Sequence, residues 1–113
     1  MISIIIPVFN EEKTLRELFD RLVSVFAGGE REYEFVFVDD GSSDGSFEIM
    51  AQFPREDVHT RIVKFSRNFG QQQALAAGIQ ESRGGYICFL DADLQVAPED
   101  IPRLLEKADE GYD

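Results

Sequence analysis

Apolar residues along the chain form short continuous runs that alternate with longer segments in which they recur at helical spacing. The continuous runs cover residues 2–8, 35–38 and 86–90, and a weaker run covers residues 61–65. A short apolar run with few polar interruptions is typical of a strand buried on both faces. Recurrence three and four residues apart is typical of an amphipathic helix. The pattern therefore predicts four strands, each followed by a helix.

The predicted helices each present one apolar stripe. In the first helix the stripe consists of Leu15, Leu18, Phe19, Leu22, Val23 and Phe26. In an alanine-rich helix over residues 71–82 it contains Leu75 and Ile79, and in the last helix it contains Ile101, Leu104, Leu105 and Ala108. We expect these faces to pack on the sheet. We also expect Cys88, inside the fourth apolar run, to be a small buried hydrophobic residue.

Polar residues and prolines mark where the helices begin. Asn10 is a suitable N-cap for the first helix, with Glu11 and Glu12 in its first turn, where the helix dipole favours negative charge. Asp44 is positioned to cap a short helix that contains Phe47, Ile49 and Met50. Pro98 suits the first residue of the last helix.

Strict alternation of strands and helices predicts one α/β domain over residues 1–113, with a parallel sheet and right-handed crossovers. We predict the strand order 3-2-1-4, in which the topological switch lies between the first and fourth strands. Ligands of such sheets bind outside the carboxyl ends of the strands at that switch. Three polar clusters follow those ends, at residues 9–11, 39–41 and 91–93. We therefore expect them to converge at one rim.

The cluster after the fourth strand has the chemistry of a metal site. In an extended backbone, Asp91, Asp93 and Gln95 would project to the same side. Their oxygens are hard ligands of the kind that hold Mg²⁺ or Mn²⁺ together with substrate phosphates. The alternative is that Asp91 or Asp93 caps the following turn, a common role of aspartate.

The other polar residues of the rim have open interpretations. Asp39 and Asp40 could contact a base edge or a ribose hydroxyl, or could cap a turn. Glu11 could serve the site or only the first turn of a helix. Arg67 and the helix start that follows it could bind an anion, or could form a solvated face. His59 lies in a polar loop and is expected at the surface, without a catalytic part.

Composition excludes several classes of protein. A net charge of -11 argues against binding to DNA or RNA, whose phosphates require a basic surface, but not against a phosphorylated small molecule bridged by a divalent ion. No apolar run approaches the roughly 20 residues of a membrane span. One cysteine excludes an internal disulfide and favours a reducing, cytoplasmic setting. The phosphate-loop and dinucleotide-binding glycine motifs are missing.

Four motifs in order resemble a known family. They are Ser-Ile-Ile-Ile-Pro-Val-Phe-Asn-Glu-Glu at residues 3–12, Val-Asp-Asp-Gly-Ser-Ser-Asp-Gly-Ser at residues 38–46, Ser-Arg-Asn-Phe-Gly-Gln-Gln at residues 66–72 and Leu-Asp-Ala-Asp-Leu-Gln at residues 90–95. Together they are similar to the family 2 glycosyltransferases of the GT-A (Rossmann-like) fold. The likeness is to the bacterial polyprenyl-phosphate glycosyltransferases in particular, relatives of dolichyl-phosphate mannose synthase.

The resemblance implies an inverting transfer of sugar from a UDP- or GDP-linked donor to a polyprenyl phosphate, dependent on Mg²⁺ or Mn²⁺. It implies a nucleotide-sugar site formed by Pro7, Phe9, Asn10, Glu11, Asp39, Asp40, Arg67, Asp91, Ala92 and Asp93. It implies metal ligands among Asp91, Asp93 and Gln95.

Enzymes of this kind continue well past the position of Asp113. The resemblance therefore implies that the catalytic base and the acceptor site lie beyond this chain, and that the whole protein attaches to the cytoplasmic face of a membrane. We expect the chain to self-associate through the apolar surface left uncovered. Two other classes stay open: a receiver-like phospho-acceptor domain with its aspartates at a strand end, and a catalytically silent nucleotide-binding module.

Overall fold

The structure, a computed structural model, describes residues 1–109, without the side chain of Ala108. Its strands are β1 (Ile2–Val8), β2 (Tyr33–Asp39), β3 (Thr60–Lys64) and β4 (Tyr86–Phe89). Its helices are α1 (Leu15–Phe26), α2 (Ser46–Met50), α3 (Phe53–Glu56), α4 (Gln71–Glu81) and α5 (Ile101–Asp109), the last preceded by a 3-10 turn at Pro98–Asp100. The predicted alternation is confirmed, with two short helices between β2 and β3. None of the helices in this described part is long and apolar enough to cross a membrane.

The four strands form one parallel sheet in the order β3-β2-β1-β4, as predicted. In the register, Val8 lies opposite Asp39 on one side of β1, and Ile5 lies opposite Phe89 on the other. The loops that follow β1, β2 and β4 therefore leave the sheet at the same edge.

The sheet is covered on both faces, unequally. On the first face a large core packs α1 and α5 against β1 and β2 and includes the stacked rings of Phe19 and Phe53, whose centroids are 3.9 Å apart. On the second face a small core joins α4 to Ile5 and Val36. Burial of this apolar area is the main favourable term for the fold.

Helix α4 approaches the sheet through small residues, which corrects the predicted face. Ala74 and Gly78 are buried, Leu75 is partly buried and Ile79 is 43 % exposed. A Cβ atom at Gly78 would lie 2.2 Å from Cγ2 of Ile5. The helix therefore lies too close to β1 for a larger side chain at that position.

Strand β4 is an exposed edge strand, so the prediction of a fully buried strand was wrong. Tyr86, Ile87 and Phe89 are 40–51 % exposed, and Cys88 is half-buried, where burial raises the pKa of its thiol. The apolar run implied cover on both faces. In the described residues β4 pairs with β1 alone, while α4 packs over β1 and β2.

The last helix also differs in part from its predicted face. Ile101 and Leu105 are buried as expected, whereas Leu104 is 54 % exposed. The side chain of Ala108 lies outside the described structure. Pro98 begins the 3-10 turn that leads into α5, rather than α5 itself.

A buried carboxylate fastens the amino-terminal edge of the sheet. Glu34 accepts hydrogen bonds from the hydroxyl of Ser3 (2.6 Å) and the backbone N–H of Arg83 (2.6 Å), and Arg61 lies 3.4 Å away. Burial alone would raise the pKa of Glu34, but the three donors outweigh it and hold that pKa below its usual value. The turn between α4 and β4 is thereby attached to β1 and β2.

Candidate functional site: an acidic cavity at the carboxyl edge of the sheet

The loops after β1, β2 and β4 enclose a cavity of about 260 Å³. It is lined by Pro7, Val8, Phe9, Glu11, Asp40, Gln71, Asp91, Ala92 and Asp93. The predicted convergence at the switch between β1 and β4 is thus seen. Most of the residues predicted for the nucleotide-sugar site line this cavity; Asn10, Asp39 and Arg67 do not. Phe9, which is 46 % exposed, presents an apolar wall to it.

Asn10 holds the neighbouring loop instead of capping α1, which begins only at Leu15. Its side-chain oxygen accepts hydrogen bonds from the backbone N–H groups of Ser43 (2.8 Å) and Asp44 (3.2 Å). Its own N–H donates to the hydroxyl of Ser42 (3.0 Å). Asn10 adopts a φ of 54°, a left-handed conformation that asparagine tolerates better than most residues.

Further hydrogen bonds join the same two loops. The N–H of Glu11 donates to the hydroxyl of buried Ser46 (2.9 Å), and the N–H of Gly45 donates to the carboxylate of Glu12 (2.7 Å). The carboxylate of Asp44 accepts from the N–H groups of Ser46 (2.9 Å) and Glu12 (3.3 Å), but the N-cap of α2 is Gly45, so Asp44 lies one residue before the predicted capping position. Glu11 and Glu12 precede α1 rather than forming its first turn.

The serines of this loop were missed by the sequence reasoning. Ser42 and Ser46 each accept a hydrogen bond from the loop after β1. The signal was present, because serine beside aspartate and glycine is typical of loops whose side chains bond to nearby backbone. What the pattern did not reveal was that the bonded backbone lies more than 30 residues away.

Asp40 is a buried anchor for a third loop. Its carboxylate accepts hydrogen bonds from the backbone N–H groups of Phe69 (2.8 Å) and Gly70 (3.1 Å) and from the side-chain amide of Asn68 (3.1 Å). A carboxylate has about four acceptor positions. The N–H of Gly70 also lies 3.2 Å from the other carboxylate oxygen, so three donors make four contacts with Asp40, and the loop after β3 is held to the wall of the cavity.

Asp39 is more deeply buried than Asp40, at 1 % exposure. One carboxylate oxygen accepts a hydrogen bond from the N–H of Ser42 (3.1 Å). Asp39 therefore caps a turn, which was one of its two predicted roles. The other oxygen is buried and has no hydrogen-bond partner among the described residues. Asp39 does not line the cavity, and its contact to a nucleoside stays a prediction.

Gly41 allows the loop after β2 to contact the loop after β3. It adopts a φ of 73°, and a Cβ there would lie 2.3 Å from the backbone carbon of Arg67. Glycine is required for both reasons. The Arg67 side chain points elsewhere: it is exposed, and its guanidinium lies 4.6 Å from the ring centre of Phe69. The expected contact of Arg67 with an anion stays a prediction.

The backbone after β4 turns rather than remaining extended. The prediction that Asp91, Asp93 and Gln95 project to the same side of an extended strand was therefore wrong in its geometry. Leu94 adopts a φ of 63°, and the carboxylate of Asp93 accepts the N–H of Gln95 (3.1 Å). Asp93 therefore also has the turn-capping role. Asp91 and Asp93 still line one cavity, and Gln95 does not. Asp91 accepts the side-chain amide of Gln71 (3.3 Å).

The donor set of the cavity fits a divalent cation. Glu11, Asp40, Asp91 and Asp93 line it, and no lysine or arginine does. Through residues 1–109, none of these carboxylates forms an ion pair. Nor do any three acidic, histidine or cysteine side chains of that range lie close enough to enclose an ion by themselves. One or two carboxylates completed by phosphate oxygens are a common magnesium arrangement.

A parallel α/β sheet with an acidic cavity at its switch point defines the class, an α/β domain that binds its ligand at the carboxyl edge of the sheet. The comparison with protein families gives the particular family. Residues 3–113 match the model of Glycosyl transferase family 2, and the chain belongs to that family.

Two curated relatives have similar sequences. The undecaprenyl-phosphate 4-deoxy-4-formamido-L-arabinose transferases of Proteus mirabilis and Klebsiella pneumoniae are 44 % and 47 % identical to this chain. Each alignment covers 99 % of this chain and 35 % of the relative. The chain therefore spans about a third of the length of these relatives.

Solved structures share the fold. S. aureus TarS 1-349 in complex with UDP-GlcNAc gives a TM-score of 0.79 at 24 % identity, over 96 % of this chain and 31 % of that one. The mannosyltransferase PcManGT from Pyrobaculum calidifontis, in complex with GDP-Man and Mn2+, gives a TM-score of 0.72 at 22 % identity, over 81 % of this chain and 27 % of that one. These likenesses establish the GT-A fold.

Proposed function

We propose that this protein transfers a sugar from a nucleoside diphosphate-sugar to a polyprenyl phosphate, and that the chain supplies the donor-binding part. The observation that carries the proposal is that four carboxylates line the cavity, whereas none of its lining residues is a lysine or an arginine. Such a cavity repels a diphosphate unless a divalent ion lies between the two. Family membership and the relatives' names support the reaction class.

The residues of the cavity divide between the two ends of the donor. Phe9 and Asp40 are suited to the nucleoside, one as an apolar wall and the other as a carboxylate that lines the cavity. Asp91 and Asp93 lie at the diphosphate end, with Gln95 as the predicted further ligand. A bound Mg²⁺ or Mn²⁺ would supply positive charge against the departing nucleoside diphosphate.

The transfer itself is a displacement at the sugar. An oxygen of the lipid phosphate attacks the anomeric carbon, and the bond from that carbon to the diphosphate oxygen breaks. The nucleoside diphosphate leaves with the bonding electrons, and the configuration is inverted. We place the base and the acceptor site outside this chain. The polyprenyl acceptor implies work at a membrane, and the reducing setting favoured by the single cysteine implies its cytoplasmic face.

The alternatives carry less support. Family membership excludes a receiver-like domain. The names of the relatives are those of transferases and do not favour a catalytically silent nucleotide-binding module.

Calorimetric titration tests the proposal. We expect UDP-glucose or GDP-mannose to bind in the presence of Mn²⁺ and to bind much more weakly without it. Acetyl phosphate with Mg²⁺ serves as the control ligand and should leave the chain unmodified. Equal affinity with and without Mn²⁺, or phosphorylation by acetyl phosphate, would contradict the proposal.

We also propose that the edge of β4 that has no partner strand within residues 1–109 pairs with a second copy of this chain. Ile87 and Phe89 lie on the α4 side of the sheet, where Ile79 is exposed as well. An unpaired edge with apolar side chains is prone to pairing, and a two-fold axis closes such a contact. Sedimentation should show a dimer that Phe89→Lys dissociates. Val58→Lys, at a residue 86 % exposed, is the matched control, and a monomeric parent chain would refute the proposal.

A further inference from the structure

Thr14 lies directly before α1, at the position where a threonine normally caps a helix. A capping hydroxyl accepts a hydrogen bond from a backbone N–H two or three residues further on. The side chain of Thr14 makes no such bond, and its backbone (φ −110°, ψ −19°) is not that of a usual cap. Its hydroxyl oxygen lies instead 2.5 Å from the backbone oxygen of Ala92, 78 residues away.

The hydroxyl must donate in this contact, because a backbone oxygen can only accept. Two other oxygens, both of Glu11, lie near the hydroxyl, the carbonyl at 3.3 Å and the carboxylate at 3.4 Å. A hydroxyl has a single hydrogen, and the shortest contact takes it. The hydrogen bond of Thr14 therefore goes to Ala92.

Ala92 lies between Asp91 and Asp93, the two aspartates that are proposed to hold the cation. The turn that it begins contains Leu94 at a φ of 63°, a conformation that costs a leucine free energy and persists only when its surroundings hold it. Ala92 is buried and Leu94 packs in part against the large core. Across the described loops, Thr14 supplies the hydrogen bond that joins the segment after β1 to this turn.

We propose that Thr14 is a positioning residue that fixes Asp91 and Asp93 relative to Glu11 through its hydrogen bond to Ala92. The inference rests on the proposed function, in which the aspartate pair holds the cation of the donor. Without the bond, the turn can shift while the sheet below it stays unchanged, so the two carboxylates lose their common placement.

The test compares Thr14→Val, which keeps the shape and removes the hydroxyl, with Thr14→Ser, which keeps the hydroxyl. Thr60→Val is a matched control, because the buried hydroxyl of Thr60 has no hydrogen-bond partner in the described structure. The first measurement needs no ligand: amide hydrogen exchange of residues 93–95. We expect exchange about three- to tenfold faster in Thr14→Val, the range given by loss of one hydrogen bond, and unchanged exchange in the other two variants.

The second measurement is the affinity for UDP and for GDP with and without Mn²⁺. Thr14→Val should reduce the enhancement by Mn²⁺ about three- to tenfold and leave the metal-free affinity for uridine or guanosine unchanged. If Thr14 only stabilised the fold in general, Thr14→Val would lower both the enhancement by Mn²⁺ and the metal-free affinity for the nucleoside. Thr14→Ser should restore the parent behaviour.

The outcomes separate the two proposals. Unchanged exchange in Thr14→Val, or an equal effect of Thr14→Ser, overturns the positioning role. A third outcome combines faster exchange in Thr14→Val with a nucleotide affinity of the parent chain that does not respond to Mn²⁺. It supports the positioning role and overturns the proposed function.

Discussion

The two aspartate pairs at the rim of the sheet differ in what surrounds them. Asp39 and Asp40 follow β2 and are 1 % and 4 % exposed. Four donors from two loops bind their carboxylates. Asp91 and Asp93 follow β4, where the first is exposed and the second half-buried, and each accepts one hydrogen bond. The same residue type thus holds loops in one place and leaves oxygens free for a cation in the other.

The comparison teaches that an acidic motif acquires its role from the hydrogen-bond donors that reach it. Backbone N–H groups compensate the buried charge of Asp40, which would otherwise be costly. After β4 fewer donors are in reach, so solvent or a cation must compensate Asp91 and Asp93. A divalent ion is expected where the compensation is incomplete.

The largest expected effect is on stability, and it sets the two pairs directly against each other. Asp40→Asn turns an acceptor oxygen into an N–H₂ group that faces the donors of Gly70 and Asn68. We expect a loss of about 2–3 kcal/mol in the free energy of unfolding, measured in urea. Asp91→Asn, the matched change at an exposed site, should alter it by less than about 0.5 kcal/mol. Equal losses in the free energy of unfolding for Asp40→Asn and Asp91→Asn would contradict the difference between the two pairs.

The next effect is on metal-dependent binding, and it falls on the other pair. Asp93→Asn removes a charge from the end of the cavity assigned to the diphosphate. The enhancement of UDP or GDP affinity by Mn²⁺ should fall about tenfold or more, towards a ratio of one, because a neutral amide attracts the ion less. Calorimetry with and without Mn²⁺ measures the ratio. A ratio in Asp93→Asn equal to that of the parent chain would refute the metal role.

The smallest effect extends the comparison to a third carboxylate, Glu34, which is bonded in the manner of Asp40 at the opposite edge of the sheet. Its pKa is lower in the folded chain than the ordinary value of 4.5. Its contribution to stability is therefore full above about pH 4.5 and is lost as pH falls through the lower, folded value. Glu34→Gln should cost about 1 kcal/mol at pH 7 and much less at pH 3. Urea midpoints at both pH values measure this, and a pH-independent cost would contradict it.

Much of the site could be predicted because the strand ends fix it. The alternation of runs gave the order of elements, and parallel strands bring Glu11, Asp40 and Asp93 to one edge whatever the loops do. The motifs added the family. Bonding within the loops could not be predicted, since the partners of Asp40 lie 28 to 30 residues away and that of Thr14 lies 78 residues away.

The exposed side of β4 shows the same limit for packing. Its apolar run is the kind that a buried strand has, yet Ile87 and Phe89 are open to solvent. Periodicity reports what a segment would bury, and the arrangement of the helices determines what is covered. Small residues let α4 lie close over β1 and β2, and within residues 1–109 Ile87 and Phe89 of the edge strand stay exposed beside it.

By itself the sequence determined the class of the fold and the edge of the sheet at which the acidic residues meet. These follow from local periodicity and from the geometry of parallel strands, which act through neighbouring residues. Only the tertiary structure decided which carboxylates are bound by backbone N–H groups and which stay free. The physical reason is that a hydrogen bond needs its partners within about 3 Å, and here the chain supplies them from distant segments that only folding brings together.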